Sequence, residues 1–253
     1  MELGLRGRMA LVSGGTRGIG RGIVEAMAEQ GATVSFCART PAHVTATETE
    51  IRNRGGTVHG ATVDVADAGP LQAWVAGAAR SMGGLDAVVV NVSAAGGGGG
   101  AQGWRSSLET DLLGALTMVE AALPHLARSS APSITVIAST AAIEVPDGSG
   151  PYHAMKAALV NHAAGLARTL GPRGIRVNSV SPGPVLYPGG FWQQSQAARP
   201  AQFEAMRARI PLGRMVTVAE VAKAVCFLAS PSASGISGTN LVVDGAMTQR
   251  VQY

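Results

Sequence analysis

Short runs of β-branched and aliphatic residues alternate along this chain with longer, Ala-rich segments of helical period. The alternation extends from residue 9 to residue 243 and contains no internal repeat. Strands separated by helices of this length predict a parallel sheet, because parallel neighbours need long crossover connections. We therefore expect an α/β fold over residues 1–253: one Rossmann-type, doubly wound domain of about seven strands with helices on both faces.

The pattern gives approximate bounds for each element. Strands are predicted at Met9–Ser13, Thr33–Cys37, Thr57–Val63, Asp86–Val92, Ser133–Ser139, Ile175–Val180 and Leu241–Val243. Helices are predicted at Gly18–Gln30, Pro41–Arg54, Pro70–Met82, Trp104–Arg128 and Pro151–Leu170, and near Pro200–Arg209 and Val218–Ala229. Sheets of this type bind ligands at the carboxyl ends of their strands, so residues that directly follow strands are the functional candidates.

The fraction of charged residues and their distribution indicate which macromolecular partners to expect. Charged residues make up 14% of the chain, against about 25% in an average soluble domain. We attribute the deficit to surface hidden between subunits and expect a homo-oligomer, either a dimer or a tetramer. The net charge is +4, but the basic residues are scattered, so binding to nucleic acid is not expected.

Cysteine usage and hydropathy exclude further classes. Cys37 and Cys226 lie far apart and outside any metal-ligand spacing, so we expect neither a disulfide framework nor a metal site. The N-terminal residues lack the apolar core that is typical of a secretory signal, and no apolar run approaches ~18 residues. We therefore expect a cytoplasmic protein without membrane contact.

A glycine-rich turn follows the first predicted strand. Glycines at Gly14, Gly18 and Gly20 allow a tight turn, close approach of backbone amides to a pyrophosphate, and close packing of helix on strand. The position between a strand and a helix favours dinucleotide binding over an ordinary glycine-rich turn. The contacts predicted from this turn are Gly14, Thr16, Arg17, Gly18, Ile19 and Gly20.

The end of the second strand bears on which dinucleotide binds. An acidic residue at this place is usual for NAD, but here the strand is followed by Arg39. Arg39 and Arg17 would bind a 2′-phosphate through charge-assisted hydrogen bonds. We therefore expect NADP(H) to be favoured over NAD(H); the alternative is that both arginines are ordinary solvated residues.

Tyr152 and Lys156 are four residues apart in a predicted helix, so they share one face. A cation beside a phenol stabilises phenolate, and we expect the pKa of Tyr152 to fall toward neutrality. Tyr152 would then serve as a general acid or base. Ser139, at the end of the fifth predicted strand, would hydrogen-bond a substrate carbonyl. Without that serine, a core tyrosine near a surface lysine would be the better interpretation.

These residues together resemble the short-chain dehydrogenase/reductase family, over essentially the whole chain, and most closely its 3-oxoacyl reductase-like members. The resemblance implies that Tyr152 exchanges a proton, that Lys156 lowers its pKa and binds the nicotinamide ribose, and that Ser139 orients the carbonyl. It also implies a dimer interface on the two long helices. The further cofactor contacts that it implies are Asp64, Val65, Asn91, Tyr152, Lys156, Pro182, Gly183 and Val185.

One position departs from the family pattern. The family has a catalytic Asn in the first long helix, which holds a relay water, and here Asp111 takes that place. A carboxylate can hold a water, but it adds negative charge near Lys156. We regard Asp111 as a possible relay residue.

Residues 185–213 are predicted to close over the substrate. Tyr187, Phe191 and Trp192 fall within this stretch and predict an apolar, ring-bearing substrate, although packing of the loop itself would explain them equally well. The run Gly96–Gly100 is predicted to form a mobile wall opposite.

Three functions are consistent with these residues. The favoured one is an NADP(H)-dependent oxidoreductase for a ketone or secondary alcohol. A narrower one is a reductase of 3-oxoacyl thioesters of acyl carrier protein or coenzyme A, in which an acidic carrier protein would dock on arginines such as Arg128 and Arg173. The third is a cofactor-sensing binding protein without chemistry.

Overall fold

The computed structural model describes residues 3–95, 100–145 and 150–249. Its strands are β1 (Met9–Ser13), β2 (Thr33–Ala38), β3 (Thr57–Thr62), β4 (Ala87–Val90), β5 (Ser133–Ile137), β6 (Arg176–Pro182), β7 (Val185–Leu186), β8 (Val216–Thr217) and β9 (Asn240–Val243). Its α-helices are α1 (Gly18–Glu29), α2 (Pro41–Asn53), α3 (Ala68–Ser81), α4 (Gly100–Ser107), α5 (Gly114–Leu126), α6 (Pro151–Leu170), α7 (Phe191–Ala198), α8 (Pro200–Ala208) and α9 (Val218–Ala229).

Seven of the strands form one parallel sheet in the order β3-β2-β1-β4-β5-β6-β9. This confirms the predicted fold class and the seven-stranded sheet. The order reverses between β1 and β4, which are hydrogen-bonded neighbours. The carboxyl ends of these two strands therefore flank the crevice where such sheets bind ligands.

Apolar side chains cover both faces of the inner strands of the sheet, whereas the edge strands β3 and β9 are partly exposed. Along β1, Val12 packs with α1 and α9 in one cluster, whereas the adjacent Leu11 packs with α3, α5 and α6 in the other. The alternation follows from the period of two in a strand. Both side chains are fully buried, so the near-continuous apolar runs in the sequence reflect a sheet covered on each side.

Three local features differ from the sequence predictions. Helix α7 (Phe191–Ala198) lies in the 185–213 segment, where a helix was predicted only near Pro200–Arg209. The long helix predicted at Trp104–Arg128 starts earlier, at Gly100, and a π-helical turn at Leu108–Leu113 separates α4 from α5. The short strands β7 and β8 pair in a second parallel sheet that the sequence analysis missed, because two-residue strands carry no readable alternation. Gly96–Gly99, most of the predicted mobile wall, lie outside the described residues.

Within the described ranges, no helix combines the length and the apolar character needed to cross a membrane.

Arg176 connects the start of β6 to the end of α9 through a buried guanidinium. The side chain donates to the carbonyls of Leu228 (2.7 Å) and Ser230 (2.9 Å), and more weakly to that of Ile236 (3.3 Å). Burial lowers the pKa of Arg176 below its ordinary value. A cation at a helix C-terminus satisfies carbonyls that have no intrahelical donor and complements the helix dipole.

We expect Arg176→Met to lower the free energy of unfolding by about 2–4 kcal/mol, because the carbonyls of Leu228 and Ser230 would stay buried without donors. Chemical denaturation measures this change. Arg168→Met, on the exposed face of α6, is the matched control and should change the free energy by no more than about 0.5 kcal/mol. Equal effects in the two variants would contradict the assignment.

Candidate active site

The turn between β1 and α1 is built on contacts that only glycine permits. A Cβ on Gly20 would lie 2.1 Å from the carbonyl oxygen of Gly14, and one on Gly15 would lie 2.6 Å from the Cβ of Phe36. Gly14 and Gly18 have φ values of +71° and +51°, which disfavour side chains. Helix α1 therefore starts tightly against the end of β1, and no side chain caps its first amides. This amino end fits a phosphate group.

Asn91 fixes this turn to the neighbouring strand. Its backbone amide donates to Ser13 Oγ (2.9 Å), and its side-chain amide donates to the carbonyl oxygens of Ser13 (3.1 Å) and Gly14 (3.4 Å). The residue that follows β4 thus holds the residues that end β1. Asn91 has a clear structural role here beside its predicted contact with a cofactor.

A cleft of about 410 Å³ opens at this point, and we call it the carboxyl-edge cleft. The predicted site residues that line it are Gly14, Thr16, Arg17, Gly18, Ile19, Gly20, Arg39, Asp64, Val65, Asn91, Tyr152, Lys156 and Tyr187. The sequence analysis missed others, among them Thr40, His43, Val92 and Ser93. Thr40 and His43 could have been found, because they follow β2 in the same way as Arg39.

Ser139, Tyr152 and Lys156 meet where β5 ends and α6 begins. The Ser139 side chain hydrogen-bonds the Tyr152 hydroxyl and also accepts from the backbone amide of Ala141 at 3.1 Å. Lys156 is 2% exposed, and its Nζ donates to the carbonyl oxygen of Ile137 at 2.9 Å. The i, i+4 spacing thus brings the phenol and the ammonium into one pocket, with Nζ 5.9 Å from the centre of the Tyr152 ring.

The expected fall in the pKa of Tyr152 is wrong for this structure. Burial raises the pKa of the phenol above its ordinary value, the hydrogen bond from Ser139 acts to lower it, and the charge of Asp111 raises it further. Lys156 does not offset these effects, since its ammonium is bound to Ile137 and faces Asp111. Burial lowers the pKa of Lys156, and Asp111 opposes that change.

Asp111 lies in the π-helical turn and is 1% exposed. Its Oδ1 accepts from the backbone amide of Ala94 at 3.0 Å, whereas Oδ2 is buried and has no hydrogen-bond donor among the described residues. Burial raises the pKa of the carboxyl group, and the charge of Lys156 lowers it. The carboxylate is thus coupled to both members of the Tyr152–Lys156 pair.

The helix that carries Asp111 approaches the sheet edge closely at Gly114. A Cβ there would lie 2.7 Å from the carbonyl oxygen of Val65. This contact holds the π-helical turn beside the residues that follow β3. It places Asp111 next to the cleft without requiring a side chain between helix and strand.

Arg17 and Arg39 are exposed at the rim of the carboxyl-edge cleft. Arg39 Nη1 lies 4.0 Å from Asp64 Oδ2, and Asp64 Oδ1 accepts from the amide of Ala66. The side chain of Arg39 is 72% exposed. Its guanidinium is therefore loosely paired with Asp64 and accessible to an anion at the end of β2.

The aromatic residues of the 185–213 segment divide between two places. The Tyr187 ring lies in the cleft between Gly18 and Gly190, and a Cβ on either glycine would come within 3 Å of it. Trp192 packs on the small cluster of Phe203, Ile210 and Met215, and Phe191 is 54% exposed. Neither Phe191 nor Trp192 lines the carboxyl-edge cleft, so their role in substrate binding stays a prediction.

The Pro182–Gly183 turn and Val185 hold the end of β6 and do not line the cleft. The amide of Gly183 donates to the carbonyl oxygen of Val243 at 2.9 Å, and a Cβ on Gly183 would lie 2.7 Å from that of Asp244. Val185 is buried and pairs with Val216. Their predicted contacts with a cofactor stay predictions.

Residues 14–248 match a family model described as "Enoyl-(Acyl carrier protein) reductase". The chain is 40% identical to isoepoxydon dehydrogenase patN of Penicillium expansum, over 100% of this chain and 99% of that protein. The chain belongs to the short-chain dehydrogenase/reductase family.

Solved structures of this family agree. An NADPH-bound short-chain oxidoreductase from Pseudomonas aeruginosa PAO1, described as containing an atypical catalytic center, superposes with a TM-score of 0.87 and 30% identity, covering 96% of this chain and 98% of that one. A short-chain dehydrogenase from Burkholderia cenocepacia J2315 in complex with NADP gives 0.86 and 32%, with the same coverage of 96% and 98%.

Two arginines named in the sequence analysis lie at the other end of the sheet. Arg128 comes shortly before β5 and Arg173 shortly before β6. Because the sheet is parallel, residues that precede strands lie at its amino edge. Both arginines are therefore at the opposite edge from the carboxyl-edge cleft. The structure therefore places these arginines away from the carboxyl-edge cleft, and docking of a carrier protein on them stays a prediction.

Among the described residues, no group of three or more His, Cys, Asp or Glu side chains is arranged to hold a metal ion.

We expect Asp111→Asn to lower the pKa of Tyr152, because it removes the carboxylate charge that raises it. NMR titration of protein labelled on the tyrosine rings measures this directly, with Tyr152→Phe to assign the resonance. Glu109→Gln, an exposed carboxylate in the same π-helical turn, is the control and should leave the titration unchanged. A Tyr152 titration that is the same in wild type and Asp111→Asn would contradict the coupling.

Proposed function

We propose that this protein is an NADP(H)-dependent oxidoreductase that interconverts a ketone and a secondary alcohol, with Tyr152 as the general acid and base. The observation that carries the proposal is the common cleft: Tyr152, which Ser139 hydrogen-bonds from beside the cleft, and the buried Lys156 line it together with the uncapped amino end of α1. A dinucleotide on that helix end would extend toward the phenol. The relatives support the class of reaction, since they include named dehydrogenases.

The residues present fit the dinucleotide. The glycine turn leaves room for a pyrophosphate at the first amides of α1, where the helix dipole favours negative charge. Asp64 and Val65 border the part of the cleft beside Arg39. When bound, the nicotinamide would supply or accept the hydride.

The protein's own groups would manage the proton and the carbonyl. In reduction, Tyr152 donates its phenolic proton to the carbonyl oxygen, while Ser139 donates a hydrogen bond to the same oxygen. In oxidation, the phenolate of Tyr152 accepts the proton of the alcohol. With its pKa raised, the phenol of Tyr152 is protonated at neutral pH, which is the form that donates the proton in reduction.

Lys156 and Asp111 act on the proton path in this proposal. The ammonium of Lys156 lies close enough to stabilise phenolate once its partners rearrange around a bound ribose. Asp111 Oδ2 is available to accept a hydrogen bond from a relay water, as the family Asn does through its amide. Asp111 is thus proposed as a relay residue that also holds the charge of Lys156 in the core.

A thioester of a 3-oxoacyl group is the second candidate substrate, because one relative, 34% identical to this chain, is named as a putative ketoacyl reductase of a polyketide synthase. Because Arg128 and Arg173 lie at the amino edge, their position does not support docking of a carrier protein at the carboxyl-edge cleft. We therefore favour a small ketone or alcohol, with Tyr187, Phe191 and Trp192 of the 185–213 segment as substrate contacts.

We further propose that the protein is a cytoplasmic homo-oligomer, a dimer or a tetramer. Trp104, Leu108 and Leu113 are each 40–47% exposed along the α4–α5 helical stretch. Such large apolar side chains, in a chain with few charges, are typical of a surface covered by a second copy.

We expect Tyr152→Phe to lower kcat for ketone reduction by about 10²–10⁴-fold, because it removes the proton donor and little else. The dissociation constant for NADPH, measured by fluorescence titration, should stay within about twofold of wild type, since the glycine turn is untouched. Full activity would refute the catalytic role. If instead the wild-type protein binds NADPH but turns over no ketone or alcohol, the cofactor-sensing alternative is favoured.

We expect Arg39→Ala to reduce the NADPH-to-NADH ratio of kcat/KM by about ten- to a hundredfold, since a charge-assisted hydrogen bond contributes about 1.5–3 kcal/mol. Steady-state kinetics with both dinucleotides measure the ratio. Arg54→Ala is the control, because Arg54 is exposed at the far end of α2 and paired with Glu25 and Glu50. An unchanged ratio in Arg39→Ala would contradict the proposed NADP(H) preference.

A further inference from the structure

A second cleft lies at the amino edge of the sheet, and its volume of about 740 Å³ exceeds that of the carboxyl-edge cleft. We call it the amino-edge cleft. Its walls come from the segment before β1, the α3–β4 connection and the α5–β5 connection. Small-molecule sites in proteins have volumes of about 300–1,000 Å³, so the cleft is large enough for a ligand. The proposed oxidoreductase reaction makes no use of it.

Four arginines line the amino-edge cleft: Arg6, Arg8, Arg80 and Arg128. The one carboxylate among its lining residues is Asp86, which is already occupied. Asp86 accepts from Arg8 Nη1 at 3.2 Å, from the amide of Met9 at 2.9 Å and from the hydroxyl of Ser129. Arg8 also donates to Ser130 Oγ at 2.9 Å.

The other three arginines lack acidic partners. Within the described part of the chain, no carboxylate oxygen lies within 4.0 Å of a guanidinium nitrogen of Arg6, Arg80 or Arg128. All three side chains are exposed, so each is accessible to a ligand in the cleft. This distinguishes them from Arg207 and Arg214, which are each paired with a glutamate.

The C-termini of α3 and α5 account for only part of this positive charge. Each helix ends beside the cleft, and each contributes about half a negative charge. Together with Asp86, these two ends balance about two of the four guanidinium groups. An excess of about two positive charges remains over one concave surface.

His125 lies at the wall of the amino-edge cleft, where it is hydrogen-bonded to Arg128 and senses the charge of Arg80. Its Nδ1 accepts from Arg128 Nη2 at 3.1 Å, so the ring carries its proton on Nε2. Burial, with the charges of Arg128 and then Arg80, lowers the pKa of His125. Both guanidinium groups therefore act on one imidazole at the wall of the cleft.

We propose that the amino-edge cleft binds a small molecule that carries two or more phosphate groups. Guanidinium groups form paired hydrogen bonds with phosphate oxygens, and three arginines without acidic partners match a ligand with several anionic oxygens. A small polyanion fits this concave surface better than the flat surface of a partner protein would. The site is separate from the carboxyl-edge cleft and does not depend on the proposed function.

The test uses NADPH-saturated protein, so that the carboxyl-edge cleft is filled, and inorganic pyrophosphate as the probe. NMR of the histidine rings reports on both places, because His125 lines the amino-edge cleft and His43 lines the carboxyl-edge cleft. We expect pyrophosphate to shift the His125 resonances with saturation and to leave those of His43 unchanged.

Arg80→Gln and Arg128→Gln should each weaken pyrophosphate binding by about tenfold, since each removes a charged hydrogen-bond donor. Arg168→Gln, an exposed arginine of α6, makes the same charge change away from the cleft and should have little effect. All three variants should keep the wild-type Tm. If all three variants bound pyrophosphate equally weakly, the effect would come from the net charge of the protein rather than from the cleft. That result would overturn the proposal.

Two further outcomes would also overturn it. A His125 resonance that does not move through the millimolar range would show that the cleft does not bind the probe. A shift of His43 with pyrophosphate, or competition between pyrophosphate and NADPH, would place the anion in the carboxyl-edge cleft instead.

Discussion

The close approach of α1 to the end of β1 determines the geometry of the whole carboxyl edge. Without a Cβ at Gly20, the first turn of the helix can lie against the carbonyl oxygen of Gly14. Asn91 then bridges β4 to the same turn, which fixes the two strands at the point where the strand order reverses. The amino end of α1, the residues after β2 and the start of α6 open on one cleft as a result.

Within that cleft, the burial of a lysine conflicts with the lower phenol pKa that was expected for Tyr152. Lys156 is almost fully buried, and a buried ammonium requires partners. The carbonyl of Ile137 and the charge of Asp111 provide them. The same carboxylate opposes ionisation of Tyr152. A neutral residue at position 111 would relieve the phenol but would leave the lysine with one partner fewer, so the acidity of Tyr152 depends on three groups rather than on one pair.

The sequence was sufficient to predict the sheet and many of the cleft residues that follow its strands. The alternation of strands and helices predicted seven strands. The strand-end position of Ser139 and the spacing of Tyr152 and Lys156 singled out three residues that the structure brings together. It was not sufficient for the pKa of Tyr152, which depends on burial and on how Asp111 is aimed by a π-helical turn. It also could not separate Tyr187 from Phe191 and Trp192, because the contact of Tyr187 with Gly18 joins segments far apart in the chain.

The two edges of a parallel sheet attract anions in different ways. At the carboxyl edge, α1 presents free amides at its amino end, so glycine and backbone suffice for a phosphate. At the amino edge, α3 and α5 present carbonyls, and the backbone there repels anions. Basic side chains in the last turn of each helix are therefore ordinary, and they alone would indicate no ligand. At the amino-edge cleft the guanidinium charge exceeds what Asp86 and both helix ends balance, and that excess is the feature that the fold itself does not require.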